Sequence, residues 1–166
     1  MTTFRRLESL AEDLQDAEHH CSDKMCVYVT GSFARGEASA HSDLDLFILT
    51  TDDKPGHLDE TLLKAALITC TRNKNIPDFS NDGEYLVCYT KDNLIKTLGK
   101  PEDDARNTFT ARLLLLLESK HLLGKSIYDQ MIKDVIDAYW LEFDDHKHDF
   151  VPAFLTNDIL RLWRTF

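Results

Sequence analysis

The sequence has few basic residues for its content of acids, with 19 Lys and Arg against 29 Asp and Glu and a formal net charge of −10. A surface of this charge repels a nucleic-acid backbone, so a long polynucleotide partner or acceptor is disfavoured. The chain also lacks an apolar run of about 18 residues, which a transmembrane helix needs, and its N-terminus has no signal-peptide-like apolar segment. We therefore expect no membrane contact and a cytoplasmic protein.

Paired cysteines with metal-binding spacing are also missing. The four cysteines fit neither a C-x-x-C zinc pattern nor a compact disulfide framework, and we interpret them as reduced thiols: Cys21, Cys26, Cys70 and Cys88. No internal repeat and no linker rich in Gly, Pro or Ser divides the chain. The hydrophobic content of 43% predicts a folded globule and excludes a disordered chain.

Two acids occur in an unusual pattern at the start of the segment 43–50, which is otherwise mostly apolar. Asp43 and Asp45 alternate with leucines, and we predict one strand over Asp43–Thr50. Successive side chains of a strand point to opposite faces, so both carboxylates would lie on one face, with Cα atoms about 6.6 Å apart. Like charges on one face repel each other unless a cation binds there. Two carboxylates at this spacing can converge on a divalent cation or on a closely spaced pair.

A Gly-Ser pair, Gly31-Ser32, follows the predicted strand Cys26–Thr30 and precedes a helical turn at 33–37. Glycine allows the backbone to approach a ligand closely, and free amides at such a turn attract anions. The sequence thus places phosphate-binding amides beside metal-binding acids. This combination suits a nucleoside triphosphate bound as its magnesium complex.

These residues, together with Arg35, resemble the signature of the DNA polymerase β-like nucleotidyltransferase superfamily: a Gly-Ser turn, then Asp-x-Asp about a dozen residues on. The chain is most similar to small bacterial nucleotidyltransferase-domain proteins. The resemblance implies transfer of a nucleoside monophosphate from an NTP to an acceptor hydroxyl, with release of pyrophosphate and use of two Mg²⁺ ions. It assigns Gly31, Ser32 and Arg35 to nucleotide binding, and Asp43 and Asp45 to metal binding and catalysis.

In this superfamily a third acid on a neighbouring strand completes the site and can accept the proton of the attacking hydroxyl. Glu84 is our candidate because it opens the only later strand that we predict, 84–90. Asp82 and Asp78 are the substitutes. Because the third acid more often lies within its strand, a catalytically weak nucleotide-binding regulator on the same fold remains the alternative function.

Helical patterns account for most of the remaining chain. The first helix is expected to cover one face of the sheet, and a long helix is expected from Pro101 through five consecutive leucines to about Leu122. Arg106 and Arg112 precede or flank those leucines. They could reach a triphosphate, but solvated charges are the favoured interpretation. We predict an α+β fold, with a short mixed β-sheet nucleotidyltransferase core at 1–98 flanked by helices and a helical region at 99–166.

The last predicted helix carries an apolar stripe that includes Trp163 and Phe166 and has no residues after it to pack against. Such a stripe either folds back on the core or meets a second copy or another protein. The chain is therefore expected to be truncated or to bind a partner through this helix, and an antitoxin-like interaction protein is a second alternative. Base preference and the acceptor remain open.

Overall fold

A computed structural model describes residues 2–21, 23–51, 56–83 and 86–164, without the side chains of 81 and 82. The strands are β1 Met25–Val29, β2 Leu46–Thr50, β3 Cys88–Thr90 and β4 Lys120–Leu123. The helices are α1 Thr3–Asp13, α2 Glu18–Cys21, α3 Gly31–Arg35, α4 His57–Asn73, α5 Lys91–Lys96, α6 Glu102–Ala105, α7 Thr108–Leu117, α8 Lys125–Tyr139 and α9 Ala153–Trp163.

The strands form a mixed sheet in the order β3-β2-β1-β4. β1 is antiparallel to both β2 and β4, and β2 is parallel to β3. In the central pair Met25 lies opposite Thr50 and Val29 opposite Leu46. The predicted α+β fold with a short mixed sheet is confirmed.

Helices cover both faces of the sheet because β1 is apolar on both sides, and all of its residues are buried. One core joins α1 and α4 to the sheet, through residues that include Leu10, Val27, Ile48 and Leu67. The other joins the opposite face to α5, α7 and α8, through residues that include Tyr28, Leu49, Leu94, Leu115 and Val135. The prediction that α1 covers one face of the sheet is therefore correct.

The long helix expected from Pro101 to about Leu122 is wrong. The backbone of Asn107 has φ 57 and separates α6 from α7, which ends at Leu117. The chain then enters β4, where Leu122 and Leu123 are buried and which pairs with β1. A short apolar run is compatible with a helix or a strand. Residues 120–123 form a strand because the edge of β1 provides hydrogen-bond partners for their backbone groups.

Arg112 is fully buried, so the favoured interpretation as a solvated charge is wrong, and it is not among the residues that line the cleft described below, as a triphosphate contact would need. Its guanidinium donates to Asp103 Oδ2 and Asp158 Oδ2, each at 2.7 Å, and to the Tyr139 hydroxyl at 2.8 Å. Asp103 and Asp158 are also buried. This network connects α6, α7, α8 and α9, so the last helix does fold back on the protein.

The outer side of α9 remains apolar and exposed at Phe154, Leu160 and Trp163; Phe166 lies outside the described residues. Within the described ranges, none of the helices combines the length and the apolar composition needed to cross a membrane.

Candidate active site

A cleft of about 410 Å³ opens where the turn after β1, the segment before β2 and α7 meet. Its lining combines three carboxylates, two glycines and an apolar wall with a few neutral polar residues: Thr30, Gly31, Asp43, Leu44, Asp45, Leu46, Phe47, Phe79, Ser80, Gly83, Leu86, Asn107, Thr110, Leu114 and Glu118. Both halves of the sequence signature therefore reach one concave surface.

Gly31 lies at the junction of β1 and α3 and has a φ of +60. This left-handed conformation is unfavourable for residues other than glycine. A β-carbon at this position would lie 2.5 Å from Asp45 Oδ2. The two segments are also joined through the backbone, because the Thr30 N–H donates to the Asp45 carbonyl at 2.9 Å. Glycine thus allows the aspartate carboxylate to lie directly against the turn.

Asp43 and Asp45 lie just before β2, which begins at Leu46, so the predicted strand starts too early. Their alternation with Leu44 persists nevertheless: Leu44 borders the cleft but is buried in the core, whereas both aspartates are at least partly exposed in the cleft. The Ser80 hydroxyl donates to Asp43 Oδ2 at 3.1 Å. Sequence reasoning did not identify this serine.

The electrostatics of the pair favour a cation. Partial desolvation in the cleft and the negative charge of Asp43 raise the pKa of Asp45, Arg35 opposes this effect, and Glu118 adds to it. The carboxylate is therefore less stable in its charged form than an isolated aspartate would be. A bound cation would reverse this effect.

A search for sequence families gives a match to the nucleotidyltransferase domain at residues 7–107, which is more than half of the 166-residue chain. The chain belongs to this nucleotidyltransferase family. The family is part of the DNA polymerase β-like nucleotidyltransferase superfamily, so the resemblance seen in the sequence is confirmed. Neither a curated protein nor a solved structure shows a significant match to the chain.

Membership in the nucleotidyltransferase family indicates nucleotidyl transfer as the general reaction class. The match includes the Gly-Ser turn and both aspartates and ends near the start of α7. The residues that follow α7, including Glu118 in the cleft, lie beyond it.

The other predicted site residues have different positions. Ser32 and Arg35 follow Gly31 on α3 but are not among the residues that line the cleft. Arg35 forms ion pairs with Glu37 and Glu118, at 2.9 and 2.7 Å. Glu84 lies outside the described residues, although Gly83 and Leu86 on either side of it line the cleft.

Glu118 is the residue that sequence reasoning missed most clearly. Its Oε1 atom accepts from the Gly31 N–H at 2.9 Å and from Arg35 Nη1 at 2.7 Å. It follows α7 directly and lies 87 residues from Gly31 in the chain, and no local motif points to it.

Asp43 and Asp45 fit a divalent cation that shares its coordination with substrate phosphates, because such sites need only one or two carboxylates from the protein. Among the residues described, no group of three or more His, Cys, Asp or Glu is arranged to hold a metal by itself. The donor set is therefore suited to a metal that arrives with, or is completed by, a phosphorylated substrate.

Proposed function

We propose that this nucleotidyltransferase-family protein moves a nucleoside monophosphate from an NTP to an acceptor hydroxyl, in a reaction that requires Mg²⁺. The observation that carries the proposal is the meeting of Gly31, Asp43 and Asp45 around one cleft. The close contact between Gly31 and the Asp45 carboxylate supports it further, since a phosphate chain at the turn would lie beside the metal-binding oxygens.

Asp43 and Asp45 would hold the metal, for which the superfamily resemblance implies two Mg²⁺ ions. When bound, these ions would neutralise the charge of the phosphate chain and of the pyrophosphate that leaves. Gly31 would donate its N–H to a phosphate oxygen, and Ser32 and Arg35 would add donors from the same short helix. The cleft walls would orient the nucleotide relative to the acceptor.

In the reaction, the acceptor oxygen attacks the α-phosphorus and forms a new O–P bond. The bond from that phosphorus to the bridging oxygen of pyrophosphate breaks, and pyrophosphate keeps the electron pair. The acceptor proton passes to a carboxylate, for which Glu84 remains our candidate. No oxidation or reduction takes place.

Labelled NTPs test the reaction directly. The protein is incubated with Mg²⁺, a cell extract as the source of acceptors, and each NTP carrying ³²P at the α or the γ position. We expect label from the α position in a product and label from the γ position in pyrophosphate. Transfer of γ-label that exceeds the transfer by the extract alone would show a phosphotransferase instead.

Variants connect the activity with the site. Asp43→Asn and Asp45→Asn should abolish transfer, whereas Asp92→Asn, which changes an exposed aspartate paired with Lys96, should retain it. Equal transfer by Asp45→Asn and the unchanged protein would contradict the assignment.

Two observations favour a second function, that of a catalytically weak regulator or antitoxin-like interaction protein. Glu118 already accepts from the Gly31 N–H, and α9 exposes Phe154, Leu160 and Trp163 to a second copy or another protein. This function predicts stabilisation by Mg²⁺ and NTP without release of pyrophosphate. Leu160→Glu places a charge on the exposed apolar side of α9. Loss of self-association or of partner binding in this variant would support the interaction role.

A further inference from the structure

The carboxylate of Glu118 accepts hydrogen bonds from two groups at the turn that begins with Gly31. A single oxygen, Oε1, accepts from the Gly31 N–H and from Arg35 Nη1. The Glu118 side chain is 25% exposed, so it is partly shielded from water in this position. Charge-assisted hydrogen bonds of this kind are stronger than neutral ones.

These donors are also two of those that the proposed function assigns to the phosphate chain. A carboxylate oxygen and a phosphate oxygen are both anionic acceptors, so both would accept hydrogen bonds from the same N–H groups. A backbone N–H that donates to Glu118 is not free to donate to a phosphate. Binding of the substrate and the contact with Glu118 therefore compete.

We propose that Glu118 is an internal competitor for the polyphosphate, whose carboxylate must leave Gly31 and Arg35 before an NTP can bind. This inference rests on the proposed function, and it names a residue that sets the affinity and the ligand preference of the same site.

The charges of the cleft indicate which ligands can displace Glu118. Asp43, Asp45 and Glu118 line the cleft together, and Arg35 approaches it from α3. A free polyphosphate would meet three carboxylates and one guanidinium, and would be repelled. A polyphosphate complexed with Mg²⁺ brings positive charge to the aspartates, so the competitor selects the metal complex over the free anion.

The position of Glu118 links this competition to the second half of the chain. Glu118 lies between the end of α7 and β4, and α7 also carries the buried Arg112. A rotation of its side chain would release Gly31 without moving the helix. A shift of α7 would achieve the same, so a ligand or partner bound to the helical half could change the affinity for NTP.

Glu37 provides a matched control. It accepts from Arg35 Nε at 2.9 Å, as Glu118 accepts from Nη1, but the Gly31 N–H donates to Glu118. Glu37→Gln therefore removes a carboxylate from Arg35 and leaves the glycine contact in place. Glu118→Gln retains the size of the side chain and removes its charge, and Glu118→Ala removes the acceptor.

The test is calorimetric titration with inorganic tripolyphosphate and with each NTP, with and without Mg²⁺. Glu118→Gln and Glu118→Ala should bind the magnesium complexes about tenfold more tightly or better, and should gain binding of free tripolyphosphate. Glu37→Gln should remain within about twofold of the unchanged protein. Weaker or unchanged binding by a folded Glu118→Gln variant would overturn the proposal, even if Glu118→Ala fails to fold.

Asp45→Asn separates this inference from the proposed function. If Asp45→Asn loses binding of the magnesium complex but Glu118→Gln gains none, the competition by Glu118 is disproved and the nucleotide site stands. If neither the unchanged protein nor any variant binds a magnesium complex, both proposals are overturned.

Discussion

The Oδ2 atom of Asp45 occupies the space that a β-carbon on Gly31 would need, with only 2.5 Å between the two positions. This contact connects the Gly-Ser turn with the Asp-x-Asp segment. It explains in physical terms why the turn begins with glycine, since a larger residue would displace the carboxylate.

Gly31→Ala should therefore have two separate effects: a loss of stability, and a loss of ligand binding that the reduced stability does not account for. The positive φ should cost about 1–2 kcal/mol, and displacement of Asp45 should weaken binding of Mg²⁺ with an NTP at least about tenfold. Urea unfolding measures the first effect and calorimetric titration the second.

Gly99→Ala is the control for this change. Gly99 has φ +74, and its β-carbon would lie 2.5 Å from the Phe154 ring, so the strain is similar but does not involve the cleft. Similar loss of stability with normal binding is expected for Gly99→Ala. Normal binding by Gly31→Ala would show that the Gly31–Asp45 contact has no role in the site.

The buried Arg112 should be more important for stability than any exposed ion pair. Arg112→Met leaves the buried Asp103 and Asp158 with Arg161 as their remaining cation, at 3.2 and 3.1 Å, and should reduce the free energy of unfolding by about 3 kcal/mol, the lower end of the cost of breaking a buried pair. Asp78→Asn breaks an exposed pair with Arg72 and should cost less than about 1 kcal/mol. Equal losses in urea unfolding would mean that the buried network is not a major source of stability.

Acid should weaken the same network. Burial alone would raise the pKa of Asp103, but hydrogen bonds from Arg112 and Thr108 outweigh it, and the pKa lies below its usual value. A carboxyl with a lowered pKa in the folded state stabilises the protein fully above its unfolded pKa, about 3.9, and loses this contribution as pH falls through the folded pKa.

The difference in unfolding free energy between the unchanged protein and Asp103→Asn should therefore be greatest near neutral pH and should shrink below about pH 4. Urea unfolding at a series of pH values measures it. A difference that is constant down to pH 3 would contradict the lowered pKa.

Local patterns in the sequence were sufficient for the parts of the fold that depend on near neighbours. The alternation of Asp43, Leu44 and Asp45 predicted two carboxylates on one side of the chain, and the structure has them in one cleft with Gly31. The apolar spacing of α1 and α4 also gave the face of each helix that is buried, apart from Phe4 and Leu62, which are 49% and 48% exposed.

The errors occur where distant segments decide the structure. β4 exists because 120–123 pairs with β1, and no glycine or proline marks the end of α7 before it. The burial of Arg112 depends on aspartates from α6 and α9, which no local period brings together. Glu118 reaches Gly31 only because β4 returns the chain to the sheet, so this contact was not visible in the sequence.

Thermal unfolding with each of the four NTPs, in the presence and absence of Mg²⁺, tests the central claim most directly. The cleft formed by Gly31, Asp43 and Asp45 predicts a rise in melting temperature only when Mg²⁺ and an NTP are present together, and none in the Asp43→Asn/Asp45→Asn double variant. A rise of the same size in that double variant, or none in the unchanged protein, would contradict it.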